Sequence, residues 1–143
     1  MDIFTSLISG LIGVLVGCFL NKVYEVRKEK LSVLKALITY RWMPAQPERV
    51  KAINIIPVIF SKSTKICARL ESYKKAQNDV ADCLSTSPGL LPQKYNDVED
   101  AYIKLLEEIA KSLGYGKSLT WDKLKSPYIA RYYLDQNGNQ IWY

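Results

Sequence analysis

No histidine occurs among the 143 residues, an absence that removes more chemistry than any other feature of the composition. Without an imidazole there is no Ser/His or Cys/His nucleophile pair, no His-based acid or base near pH 7, and no HExxH zinc site. Cysteine is scarce too. Cys18, Cys67 and Cys83 are odd in number and lack the spacing of a disulfide framework or a CxxC metal site, so they read as reduced, buried thiols. Neither a metal, a cofactor nor an enzymatic activity is expected from this set. Apolar residues at 48% and charged residues at 24% exclude wholesale disorder and collagen-like composition, and the length suits one domain. The formal charge of +6 points to an acidic partner, either a phosphate backbone or anionic lipid.

Charge is also absent locally. From Ile3 to Asn21 no charged residue occurs, and as a helix this run reaches ~28 Å, close to the ~30 Å of a hydrocarbon core. The buried helix of a soluble protein normally keeps one polar face, which five charge-free turns do not provide. A division follows into a transmembrane helix over 1–21 and a cytoplasmic helical domain over 22–143. Leu15-Val16-Gly17-Cys18 matches a lipobox, leaving lipidation of Cys18 open. Against a signal peptide, the run opens with Met1-Asp2 instead of a basic region and stays apolar through Phe19 and Leu20. Lys22, Arg27, Lys28, Lys30 and Lys35 follow the run, so the positive-inside rule places the C-terminal part in the cytoplasm, with the bacterial inner membrane as the expected location. Lys22, Arg27, Lys28 and Lys30 can also hold anionic headgroups, at about 1 kcal/mol per basic residue near the surface.

Within the run, small residues share one face. At 100° per residue Ser6, Ser9, Gly10, Gly13 and Gly17 fall within about a third of the circumference, the small-xxx-small pattern through which helices pack closely in lipid. The bland alternative is that glycine is simply frequent in membrane helices.

Beyond the run the expected class is all-α, a membrane helix continuing into a small bundle with an aromatic C-terminal tail or short hairpin. Val23, Val26, Val33, Leu34 and Leu37 keep a helical period without proline before Pro44, so the first helix should run on to about Arg41. Pro47 opens a second helix through Val50, Ile53 and Ile56 towards Phe60, which Pro57 must kink or end. Asn54 is the polar residue expected to be buried there, satisfying a carbonyl that Pro57 frees. A third helix starts near Ser63 and carries Ile66, Leu70, Tyr73, Val80 and Leu84. The fourth, with Asn96 and Glu99 as a capping-box pair, carries Val98, Tyr102, Leu105, Leu106, Ile109 and Leu113 and stops at Gly114.

Seven aromatics follow from Tyr115 onward: Tyr115, Trp121, Tyr128, Tyr132, Tyr133, Trp142 and Tyr143. Asn137-Gly138 marks a hairpin turn. Interleaved with Lys123, Lys125 and Arg131, these rings suit either stacking on single-stranded nucleic acid or packing on the bundle or a neighbouring subunit. Gly116-Lys117-Ser118 imitates the end of a P-loop, but Lys111 stands where a glycine is required and a helix precedes it.

This layout resembles the small single-pass membrane accessory proteins of type VI-B, RNA-targeting CRISPR systems, and the stretch Arg49-Val50-Lys51-Ala52-Ile53-Asn54-Ile55-Ile56 through Phe60 is similar to an uncharacterised bacterial membrane-anchored helical family. The resemblance implies a homo-oligomeric pore with a ring of cytoplasmic domains acting in antiphage defence, and RNA or an RNA-guided effector as partner. It also implies a divergent helical RNase domain, but active members need a His that this chain lacks. The expected function is therefore a homo-oligomer that perturbs or permeabilises the inner membrane, with itself and lipids as partners and no small-molecule substrate. The alternative is a membrane-tethered adaptor that captures RNA or a protein through a basic, aromatic surface.

Overall fold

The structure, a computed structural model, describes the backbone of residues 2–125, 132–134 and 140–142 and the side chains of residues 8–125. Five helices follow in order: α1 (Asp2–Thr39), α2 (Pro47–Ile59), α3 (Thr64–Thr86), α4 (Leu91–Ser112) and the short α5 (Trp121–Lys125). A 3-10 turn, Pro88–Leu90, joins α3 to α4. The fold is all-α apart from one short antiparallel ladder, β1 (Tyr132–Leu134) with β2 (Gln140–Trp142), in which Tyr132 pairs with Trp142 and Leu134 with Gln140. That ladder agrees with the expected hairpin; its turn, Asn137-Gly138, lies outside the described residues, as do Tyr128, Arg131 and Tyr143.

Nothing between Asp2 and Thr39 breaks the backbone ladder, so α1 is one rod of 38 residues, ~57 Å at 1.5 Å per residue. Its two halves live in different surroundings. Val33, Leu34 and Leu37 are buried in the bundle, at i, i+1 and i+4 on one stripe, whereas every described side chain from Ile8 to Glu29 is exposed. The bundle core adds Ala52 and Ile56 from α2, Ile66, Leu70 and Tyr73 from α3, Ile103, Leu106 and Ile109 from α4, and Leu124 from α5. Burial of each such aliphatic side chain contributes roughly 1.5–3 kcal/mol, and this is what holds α2 to α5 on the C-terminal half of α1.

Helix ends follow from local chemistry. Ser63 caps α3, its hydroxyl accepting the amide of Ile66 at 3.5 Å. Gly114 takes φ +86°, and the amides of Gly114 and Tyr115 donate to the carbonyls of Lys111 and Ala110, the paired bonds of a Schellman stop. The expected start of α4 at Asn96 is corrected: the helix begins five residues earlier at Leu91, because Pro88 and Pro92 sit in first-turn positions where a missing amide costs nothing. Asn96 and Glu99 are therefore interior. Pro57 does not itself end α2: it lies inside the helix, which runs on to Ile59 with the amide of Phe60 still donating to the carbonyl of Ile56 at 2.9 Å, and Asn54 is exposed and does not serve a freed carbonyl. At 100° per residue Asn54 lies 200° from both Ala52 and Ile56, the buried edge of α2, and so faces outward.

Candidate functional site

Three features of the fold bear on function, the first of them at the N-terminal end of α1. The first is the bare half of α1. Ile8, Leu11, Ile12, Leu15, Phe19 and Leu20 spread over about half of the circumference, largely outside the small-residue stripe, and all are more than half exposed. This is a helix long and apolar enough to cross a membrane, and none of its apolar window is buried against the rest of the chain. Ser9, Gly10, Gly13 and Gly17 lie exposed on it, while the side chain of Ser6 is outside the described residues. A Cβ added at Gly10, Gly13 or Gly17 would meet nothing within 4 Å, so no contact inside this chain requires glycine there. Cys18 is exposed on the same segment, correcting the expectation of three buried thiols. It lies on the part of α1 whose described side chains are all exposed; Cys67 is half-buried and Cys83 buried, and all three are free.

The second feature is the basic collar where α1 meets the bundle. Lys22 and Lys28 are exposed. Arg27 instead donates to the carbonyl of Leu113 at 3.4 Å, placing a cation at the C-terminus of α4, where the helix dipole favours it. Lys30 lies over the ring of Phe60 at 5.4 Å. A groove of about 680 Å³ opens here between α1 and the α4 stop, with Phe19, Val23 and Val26 as its apolar wall and Lys22, Arg27 and Lys30 along it.

At the far end of the bundle lies the third feature, a cleft of about 440 Å³ among the α1–α2 connection, α2, α3 and α4. Two buried arginines meet there. The Arg41 guanidinium donates to Glu99 Oε1 at 2.6 Å and to the carbonyl of Leu124, and stacks over Trp42 at 4.8 Å. The Arg49 guanidinium, on a residue only 5% exposed, donates to the carbonyl of Arg41 at 2.6 Å and to Tyr73 Oη at 3.0 Å, and lies over the Tyr102 ring at 4.4 Å. Arg49 forms no salt bridge among the described residues, and its buried Nε has no hydrogen-bond partner. Tyr102 Oη donates to the carbonyl of Leu37 at 2.8 Å, and burial pushes its phenol up to about 12 despite the lowering influence of Arg49. Tyr73 Oη also accepts from Gln77 at 2.9 Å, and its ring meets Tyr102 with centroids 5.2 Å apart.

From the sequence Tyr73, Val80, Val98 and Tyr102 read only as apolar stripes and Glu99 only as a capping partner, and their convergence with Arg41 and Arg49 into a cleft is not legible. Its signal was a charged residue in register with an apolar stripe: Arg49 lies three and seven positions before Ala52 and Ile56, and Arg41 four after Leu37. The tail folds back where it is described. Trp121 is half-buried against the core, Lys125 pairs with Asp100 at 3.3 Å and lies over Trp121 at 4.4 Å, and Lys123 is exposed. Gly116 packs on Lys111, whose Cγ would stand 2.9 Å from an added Cβ, in the loop after α4, where a P-loop would follow a strand. Among the described residues no three His, Cys, Asp or Glu side chains gather as a metal site.

No curated protein and no solved structure matches the chain. The model of a family of unknown function, DUF6680, matches residues 1–142, and the chain belongs to that family.

Proposed function

We propose that this protein is a homo-oligomeric membrane protein whose N-terminal helices pack against one another through the Ser6, Ser9, Gly10, Gly13 and Gly17 stripe, and that its assembly perturbs or permeabilises the inner membrane. One observation carries the reading: the N-terminal half of a 38-residue helix is free of charge from Ile3 onward, its described apolar side chains are exposed, and it holds three glycines at which an added Cβ would meet nothing within 4 Å. In lipid, helices associate by van der Waals contact between closely approaching backbones, which small residues permit. The basic collar sets a cytoplasmic bundle by the positive-inside rule, with Lys22 and Lys28 facing anionic headgroups. The antiphage setting rests on the resemblance to the accessory proteins of type VI-B CRISPR systems. The tethered-adaptor reading has less support, since Trp121 and Lys125 are engaged with the bundle instead of standing ready for RNA.

The test is Gly13→Leu in full-length protein reconstituted into phosphatidylethanolamine/phosphatidylglycerol vesicles. Because an added side chain meets nothing in the monomer, the variant should insert and keep its bundle while losing both its oligomers and dye release. Wild-type assembly in the variant, or a wild type that neither assembles nor releases dye, overturns the proposal.

A further inference from the structure

We propose that the cleft around Arg41 and Arg49 binds a small soluble anion bearing a planar ring, the chemistry of a nucleoside monophosphate. The charge is unbalanced, with two buried guanidinium groups facing one paired carboxylate, Glu99. Arg49 is without any ion pair among the described residues, and its buried Nε–H is unsatisfied, although buried polar groups almost always find a partner. A guanidinium presents five N–H donors in a fork that matches phosphate oxygens, and Arg49 commits only two hydrogen bonds to its own chain. The walls suit a ring. Trp42 is 57% exposed with Arg41 over one face, and Tyr95 is 56% exposed across the cleft, so a base can stack at the mouth while its phosphate reaches inward. The volume of about 440 Å³ falls in the range of small-ligand sites.

Position decides between a free phosphate ligand and a lipid headgroup. With the charge-free part of α1 read as the span, the end of the helix at Thr39 stands eighteen residues beyond Asn21, ~27 Å along the axis, and Arg41 follows it, out of reach of headgroups at the membrane surface.

The experiment is calorimetric titration of full-length protein in detergent with AMP, GMP, CMP and UMP, against inorganic phosphate and adenosine as controls. At least one monophosphate should bind about tenfold tighter than either control, because only it engages both the arginines and the stacking ring. Trp42→Ala alters an exposed side chain and should weaken that binding several-fold without unfolding the bundle. Glu99→Gln should strengthen it, since the carboxylate competes for Arg41 at 2.6 Å; damage to the fold would act in the opposite direction. The proposal is overturned if no monophosphate outbinds phosphate and adenosine, if Trp42→Ala leaves binding unchanged, or if Glu99→Gln weakens it.

Discussion

Tyr102→Phe should destabilise the bundle by an amount that shrinks as pH rises. The hydroxyl fills a specific gap at the end of α1. The amide of Arg41 turns in to the carbonyl of Ile38, leaving the carbonyl of Leu37 to Tyr102 Oη at 2.8 Å. Removing that donor leaves a buried acceptor unpaired, a loss of about 1–3 kcal/mol at neutral pH. The pH dependence follows from the phenol, which burial pushes up to about 12 in the folded protein from an ordinary 10. A raised folded-state pKa contributes stability that is fully present below pH 10 and is lost as pH climbs towards 12, because the unfolded chain releases its proton first. At pH 11 the loss amounts to about 1.4 kcal/mol. Phenylalanine cannot ionise, so the wild type should lose about that much more stability than Tyr102→Phe between pH 8 and pH 11. Chemical denaturation of both proteins in detergent, followed by the tryptophan fluorescence of the bundle, measures the difference; other titrating groups cancel. A gap between the two proteins that stays constant across this range refutes the assignment of Tyr102 as a buried donor with a raised pKa.

Core truncation gives a larger and simpler effect: Leu106→Ala, at a fully buried position on α4, should cost about 2–5 kcal/mol in the same denaturation assay. Val58→Ala on the outer face of α2, 70% exposed, should change stability by no more than about 0.5 kcal/mol. Gly114→Ala places a Cβ at φ +86° and should cost about 1 kcal/mol, lowering the melting temperature without altering the helix content of the folded protein.

Periodic features were readable from the residues, and features that depend on what packs opposite were not. The apolar stripe of α4, the cap at Ser63 and the stop at Gly114 each follow from chemistry within a few residues, and all three stand in the structure. The charge-free run likewise announces a long bare helix. Asn54 reads as buried from the sequence because Ile53, Ile55 and Ile56 make its surroundings apolar on every side; which edge is buried is set by Ala52 and Ile56 meeting the bundle. Asn96 and Glu99 look like the capping pair of α4 in the sequence, although Pro88 and Pro92 open the helical path before them. The arginine cleft was least accessible of all. Its members come from residues 41 to 102, and nothing in the spacing of Arg41, Arg49, Tyr73, Glu99 and Tyr102 reveals that α1, α2, α3 and α4 converge on them.

If the N-terminal half of α1 assembles with copies of itself, as we propose, the mass of the protein in detergent must show it. Light scattering of full-length protein in detergent, with and without Gly13→Leu, measures the mass of the protein component directly. The wild type should form a discrete closed oligomer and Gly13→Leu a monomer, with the same helix content in both. A wild-type mass equal to a single 16.3 kDa chain would contradict it.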